Sequence, residues 1–335
     1  MEKKRIEYLD SLKGFGIILV IINHILPSGH PIIKWMSDFH MPLFFVISGI
    51  LLCYSSTLKN SCNTQFIIKK FKDLILTYLK YMFVLIIFIF FLNYICNINY
   101  LYIIPNIIKQ TIFLEGYGPL WFIFCLFFAE CLFKILNNLT KNNHYTLLIC
   151  IIISILIYQI DIHYYMNSAS LIIRYLSTLL FVSLRSICAC AFVSIGYEIA
   201  PYINKLSKNK GALFTSVLIV LLSIVFISKE TIIFSNIDYG HLIIFYVKAS
   251  IIVLAYITIF SSITNRTFNN VLSFYGKNTS FILYTHESFF IVELFKNILY
   301  DFNIIYTILA VILIETLLIL IKEKLLQIKP AIRNS

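Results

Sequence analysis

Lys13 and His24 stand eleven positions apart in "LDSLKGFGIILVIINH", close to the N-terminus. At 100° per residue this is three turns plus about 20°, so both fall on one helix face with ~16 Å of rise between them. An imidazole titrates near neutral pH, which suits a general base in group transfer or one step of a proton-coupled path. Ionisable side chains inside apolar runs mark functional sites by default. The bland alternatives are a histidine satisfied by Asn23 or a neighbouring helix, and a Lys13 that snorkels to the interface. Asp10 lies just ahead, and Asp10, Lys13 and His24 form the candidate catalytic group. Gly14 and Gly16 nearby would let another helix or a ligand approach the backbone.

The next polar cluster is "SDFHMPLFFVISG". Asp38 suits an N-cap, and Pro42 fits a first helical turn, where its missing N–H costs little. His40 then lies at the level of His24, and the two histidines could face one outward-opening pocket.

The elements that hold these residues are membrane helices. The chain has 335 residues, 60% hydrophobic and 13% charged, against about a quarter charged in a soluble domain. Its mean hydropathy is +0.88. A bilayer core of ~30 Å needs roughly 20 helical residues per crossing. That ruler predicts about ten crossings, near 12–28, 40–57, 74–95, 119–136, 145–160, 178–200, 212–228, 241–262, 271–292 and 303–321. The sixth is ambiguous, because 170–203 is too long for one simple span. Lipid leaves open backbone groups unsatisfied, so the spans are helices, and the runs are too uniform for a barrel. The expected fold is an all-α integral membrane protein, a single transmembrane domain over 1–335 without an internal repeat.

The net charge of +11 has a topological explanation. With a cytoplasmic N-terminus, the inner ends collect Lys3, Lys4, Arg5, Lys59, Lys69, Lys70, Lys72, Lys205, Lys208, Lys210 and others, including the C-terminal lysines. The outer ends keep Lys34, Lys109, Arg174, Lys229 and Lys296. This obeys the positive-inside rule, with both termini cytoplasmic, and nucleic-acid binding is not needed. The first span is not a signal peptide, because it ends in Pro27-Ser28-Gly29 rather than a small-residue cleavage site. The eight cysteines are scattered, Cys188 and Cys190 match no zinc or redox spacing, and no metal is expected. "FIIKKFKD" (66–73) reads either as an interfacial helix or as lysines anchoring the third span. The outer connection 96–118 carries Pro105 and the turn signal Gly116-Tyr117-Gly118-Pro119.

Five stretches together resemble the membrane acyltransferase 3 family. "RIEYLDSLKGFGIILVIINH" is similar to its N-terminal motif, a basic residue eleven positions before a histidine, and "FHMPLFFVISGILL" to its second helix. "GPLWFIFCLFFAE" (118–130), "LRSICACAFVSIGYEI" (184–199) and "SFYGKNTSFILYTHESFF" (273–290) resemble its later segments in order. The wording His-Met-Pro-Leu-Phe-Phe leans towards the fucose 4-O-acetylase-like branch. The resemblance implies ten helices that move an acyl group, usually acetyl from acetyl-CoA, onto a hydroxyl of an extracytoplasmic or lipid-linked glycan at the cell membrane. It matches His24 to the family's essential histidine and Lys13 to its basic partner, which is more commonly arginine. Lys69, Lys70 and Lys72 stand where arginines are frequent and would meet the CoA phosphates.

With that topology His40, Trp121, Arg185 and His286 reach the depth of His24, opposite the lysine-rich side. An imidazole there could take a proton from a sugar hydroxyl as it attacks a thioester, or could itself carry the acetyl group. Arg185 or Asn278 could stabilise the oxyanion, and Trp121 could stack on a sugar or merely anchor its helix. His286 with Glu287 could orient or replace His24, although neighbours on one helix point about 100° apart and so make a poor dyad. His40, Trp121, Arg185, Asn278, His286 and Glu287 are therefore the expected substrate-binding set. A transporter or flippase is the rival class, since buried histidines, lysine and arginine also suit proton-coupled transport. A sensor or scaffold with structural polar residues is a third. Oligomeric state is not legible.

Overall fold

The computed structural model describes residues 6–55, 61–96, 100–160, 170–228, 231–299 and 303–333. Lys3, Lys4, Arg5, Lys59 and Lys229 of the charge count lie outside the described residues. The chain is helical, with one isolated bridge, Ile233 to Asp238, and no strand among the described residues.

The helices relevant here are α1 (Glu7–Ile25), α2 (Pro31–Ser37), α3 (His40–Cys53) and α4 (Asn63–Lys70). A π-helical turn, Phe71–Ile75, joins α4 to α5 (Leu76–Cys96). Next come α6 (Ile104–Ile112), α7 (Trp121–Thr140), α8 (Asn143–Tyr158), α9 (Leu171–Ile199), α10 (Ile203–Lys208) and α11 (Lys210–Val225). The last are α12 (Leu242–Ser262), α13 (Arg266–Lys277), α14 (Thr279–Thr285), α15 (Ile291–Ile298) and α16 (Ile304–Arg333).

Among the described residues seven helical stretches are long and apolar enough to cross a bilayer: Glu7–Ile25, Pro31–Cys53, Asn63–Ile95, Gly118–Thr140, Ile172–Lys208, Leu242–Ser262 and Ile304–Gln327. The predicted spans 145–160 and 212–228 correspond to α8 and α11, each of 16 residues. At 1.5 Å per residue such a helix reaches only ~24 Å, short of a ~30 Å core. The predicted ninth span, 271–292, is broken at Asn278 and again after Thr285. The sixth, left ambiguous by its length, is one long helix, α9. The 66–73 segment does not stand apart as an interfacial helix but runs through the π turn into α5.

Residues 1–33 and 260–335 form one compact unit, and residues 34–259 a second. In the first unit α1 packs on α13 with almost no space between backbones. A Cβ on Gly14 would collide with the Leu272 carbonyl, and one on Gly276 with the Asp10 carbonyl. Ser11 Oγ donates to Asn269 O across the same seam at 3.2 Å. Small residues drive such contacts because lipid offers no hydrophobic force between helices. The second unit repeats the device. A Cβ on Gly49 of α3 would strike the Val193 carbonyl of α9, and one on Gly196 the Val46 carbonyl.

Five cysteines, at 125, 131, 150, 188 and 190, are buried without disulfides, consistent with use as small apolar side chains.

Candidate functional site

Within the first unit, α1 carries two polar groups at opposite ends. Near its start Lys13 Nζ lies 2.7 Å from Asp10 Oδ1, a pair three residues apart on one face. The Asp10 carboxylate is buried, and Lys13 is its facing charge. Near its end stands His24, ~16 Å along the helix, too far for Lys13 to touch.

His24 meets the segment after α14. Its Nδ1 lies 3.0 Å from Glu287 Oε2, and its ring centre is 5.2 Å from that of His286. α14 ends at Thr285, and the backbone stays helical through His286, with Phe289 N donating to Thr285 O at 3.3 Å. Phe290 N donates to Glu287 O at 2.9 Å, Val292 N to His286 O at 2.9 Å, and Phe290 takes a left-handed φ of 61° before α15. His286 lies beside His24 through its ring and Glu287 through its carboxylate, so each meets His24 separately.

His286 is fully buried, at 0% exposure. Its Nδ1 lies 2.7 Å from Ile282 O. A carbonyl oxygen only accepts, so Nδ1 carries the proton and Nε2 keeps its lone pair. That Nε2 is buried and without a hydrogen-bond partner, whereas Glu287 Oε2 pairs with His24. One donor atom each from His24, His286 and Glu287 lies within 4.8 Å of the other two. Lys296 Nζ, from α15, donates to the backbone carbonyl of His24 at 3.4 Å and brings a positive charge to the rim.

Asn278 sits at the break between α13 and α14, and its amide is engaged. Nδ2 donates to Phe274 O at 3.0 Å and to Glu323 Oε1 at 3.3 Å, while Oδ1 accepts from Lys322 Nζ at 2.8 Å. It pins the helix break to α16. Glu315 of α16, which the sequence reading passed over, is fully buried and accepts from Thr285 Oγ1 at 2.8 Å, one residue before His286.

In the second unit Trp121 and Arg185 come together. The Arg185 guanidinium lies 4.9 Å from the Trp121 ring centre and 5.5 Å from that of Phe181. It is 3% exposed and donates to Ser235 O at 3.3 Å and Glu115 O at 3.2 Å. Trp121 also stacks on Phe234, with centroids 5.8 Å apart. Burial pushes the Glu115 carboxyl above its usual range, against the pull of Lys109 and Arg185. His40 is buried, with Nδ1 2.8 Å from Met36 O.

Asp38 does not cap α3: the N-cap position is Phe39, with no side-chain cap bond. Asp38 Oδ2 instead lies 2.6 Å from Lys248 Nζ, and Ser228 Oγ donates to Asp38 Oδ1 at 2.8 Å. Both Asp38 carboxylate oxygens are thus engaged by Lys248 and Ser228 rather than by the α3 backbone. Lys70, expected at a CoA phosphate, lies 2.6 Å from the buried Glu130 Oε2, and Ser48 donates to that carboxylate. Lys69 and Lys72 are exposed. Glu130, Lys248 and Glu315 share one missed signal, a lone charge inside an apolar run.

The fold and these sites define a multi-pass helical membrane protein with ionisable side chains set into its helices. The family model for the acyltransferase domain of acyltransferase 3 proteins matches residues 6–322, and the chain belongs to that family of membrane acyltransferases. No curated protein and no solved structure matches it.

Proposed function

We propose that this protein is an O-acetyltransferase that moves acetyl from cytoplasmic acetyl-CoA to a hydroxyl of an extracytoplasmic or lipid-linked glycan. His24 acts as the base. The contact of His24 Nδ1 with Glu287 Oε2 at 3.0 Å carries this proposal. The carboxylate favours the tautomer with the proton on Nδ1, which leaves the Nε2 lone pair for the acceptor. Nε2 takes the hydroxyl proton as the oxygen attacks the thioester carbonyl, and CoA leaves as its thiolate. Base catalysis of this kind is worth roughly 10²–10⁴ in rate. Negative charge on Glu287 offsets the positive charge that forms on the ring.

A double-displacement route has its own support. In it the unpartnered Nε2 of His286, beside the His24 ring, would take the acceptor proton while His24 carries acetyl on Nε2. In either route the membrane arrangement proposed is about ten crossings in the cell membrane, both termini cytoplasmic, with His24 towards the outer face. A fucose-like acceptor follows from the motif wording of α3. Lys69 and Lys72, exposed on the lysine-rich side, would meet the CoA phosphates, with Lys70 holding Glu130 beside them.

Reconstitution in liposomes with labelled acetyl-CoA and candidate glycans tests the proposal. Base-labile acetyl on sugar supports it. Movement of glycan across the bilayer without acetylation would place the protein among transporters.

A further inference from the structure

We propose that His24, His286 and Glu287 form a binding site for one divalent transition-metal ion of the zinc type, and that the ion holds the transferase inactive. Two imidazoles and one carboxylate, with a fourth position left to water, are a recurrent zinc donor set. Nitrogen donors select such ions over magnesium or calcium, which prefer oxygen. No local ligand spacing announces the site, because the donors come from opposite ends of the chain.

Two features point to a ligand at this place. His286 Nε2 is buried and accepts no hydrogen bond. His286 is completely enclosed, and its Nδ1 is already committed to Ile282 O, so only Nε2 faces the cluster. A carbonyl on the far nitrogen is the usual support of a metal-bound histidine, fixing the tautomer and the ring plane. His24 Nδ1 lies 3.0 Å from Glu287 Oε2. All three donor atoms lie within 4.8 Å of one another. A tetrahedral site with bonds of about 2.1 Å spaces its donors roughly 3.4 Å apart, so side-chain rotation of about an ångström closes it.

Inhibition follows from the tautomer. With the metal on Nδ1, the ring proton of a neutral His24 sits on Nε2, and that nitrogen then has no lone pair to accept the hydroxyl proton. No proton is gained or lost in the exchange. Binding stands independently of the acetyl-transfer proposal, and the inhibitory consequence rests on it.

The test uses the full-length protein, purified and stripped with a chelator. Co2+ is titrated while the visible d–d absorption is followed, and Zn2+ is then used to displace it. The site predicts tetrahedral-type bands at one Co2+ per chain. Glu287→Gln, on a half-exposed side chain that can change without disturbing the fold, weakens binding at least ~10-fold. His286→Asn removes the bands, with a melting curve confirming that it still folds. Bands absent from the native protein, or unchanged in both variants, overturn the site. In the activity arm, Zn2+ lowers acetyl transfer at least ~10-fold and chelator restores it. Zn2+ that binds without effect, or that activates, overturns the inhibitory role. Metal binding in a protein that never transfers acetyl removes the enzymatic proposal and leaves the site standing.

Discussion

Gly276→Ala tests whether the α1–α13 seam is what positions the histidine. The added methyl would run into the Asp10 carbonyl, and its counterpart on Gly14 into the Leu272 carbonyl. Both obstacles are backbone atoms, which cannot swing aside as a side chain would. The helices must therefore separate, and over-packing of this kind costs about 1–3 kcal/mol, with these sites at the upper end, ~3 kcal/mol each. Because either change alone already parts the helices, the double variant should cost well below the additive ~6 kcal/mol. The expected coupling is about 2–3 kcal/mol, within the range for neighbouring residues. Separation by about an ångström also lengthens the 3.0 Å contact between His24 and Glu287, and such a misplacement can cost ~10²-fold in rate. Equilibrium unfolding in detergent micelles gives the energies, and acetyl release gives the rate. Wild-type stability in either single variant, or full additivity in the double, would refute the seam as described.

Three further predictions concern charged side chains. Glu287→Ala should lower kcat ~10-fold or more with KM nearly unchanged, and Glu287→Gln should recover part of the loss because its amide oxygen still faces His24; equal kcat for all three proteins would exclude an orienting role. Lys248→Met strands the Asp38 carboxylate and should cost about 3–5 kcal/mol, whereas Lys248→Met with Asp38→Leu should recover most of it. Unfolding free energies decide that case, and a double variant no better than the single would count against the pairing. Arg185→Lys loses the flat stack on Trp121 and one of two carbonyl contacts, a destabilisation of about 1–3 kcal/mol expected in the same assay; an unchanged unfolding curve would show that the guanidinium plane is dispensable.

The face shared by Lys13 and His24 was legible because α1 is a regular helix, where spacing alone fixes direction. Gly14 was legible for a similar reason: a glycine in a membrane helix has few uses besides close approach. The partner of His24 was not legible, since Glu287 lies 263 positions away and no local pattern reports the pairing. Asp38 misled because a carboxylate before a helix looks like a cap until a distant lysine outcompetes the backbone. Lys248 supplies that competition from 210 positions away, and no local pattern reports it. The long spans followed from hydropathy, whereas α8 and α11, each of 16 residues, fall under the length at which hydropathy decides a crossing.

The most direct measurement is the rate of acetyl-ester formation on glycan by His24→Ala, in liposomes holding equal amounts of folded variant and wild type. Loss of the base predicts a fall of roughly 10²–10⁴ with acetyl-CoA still bound. A variant that acetylates at the wild-type rate would contradict transfer at His24.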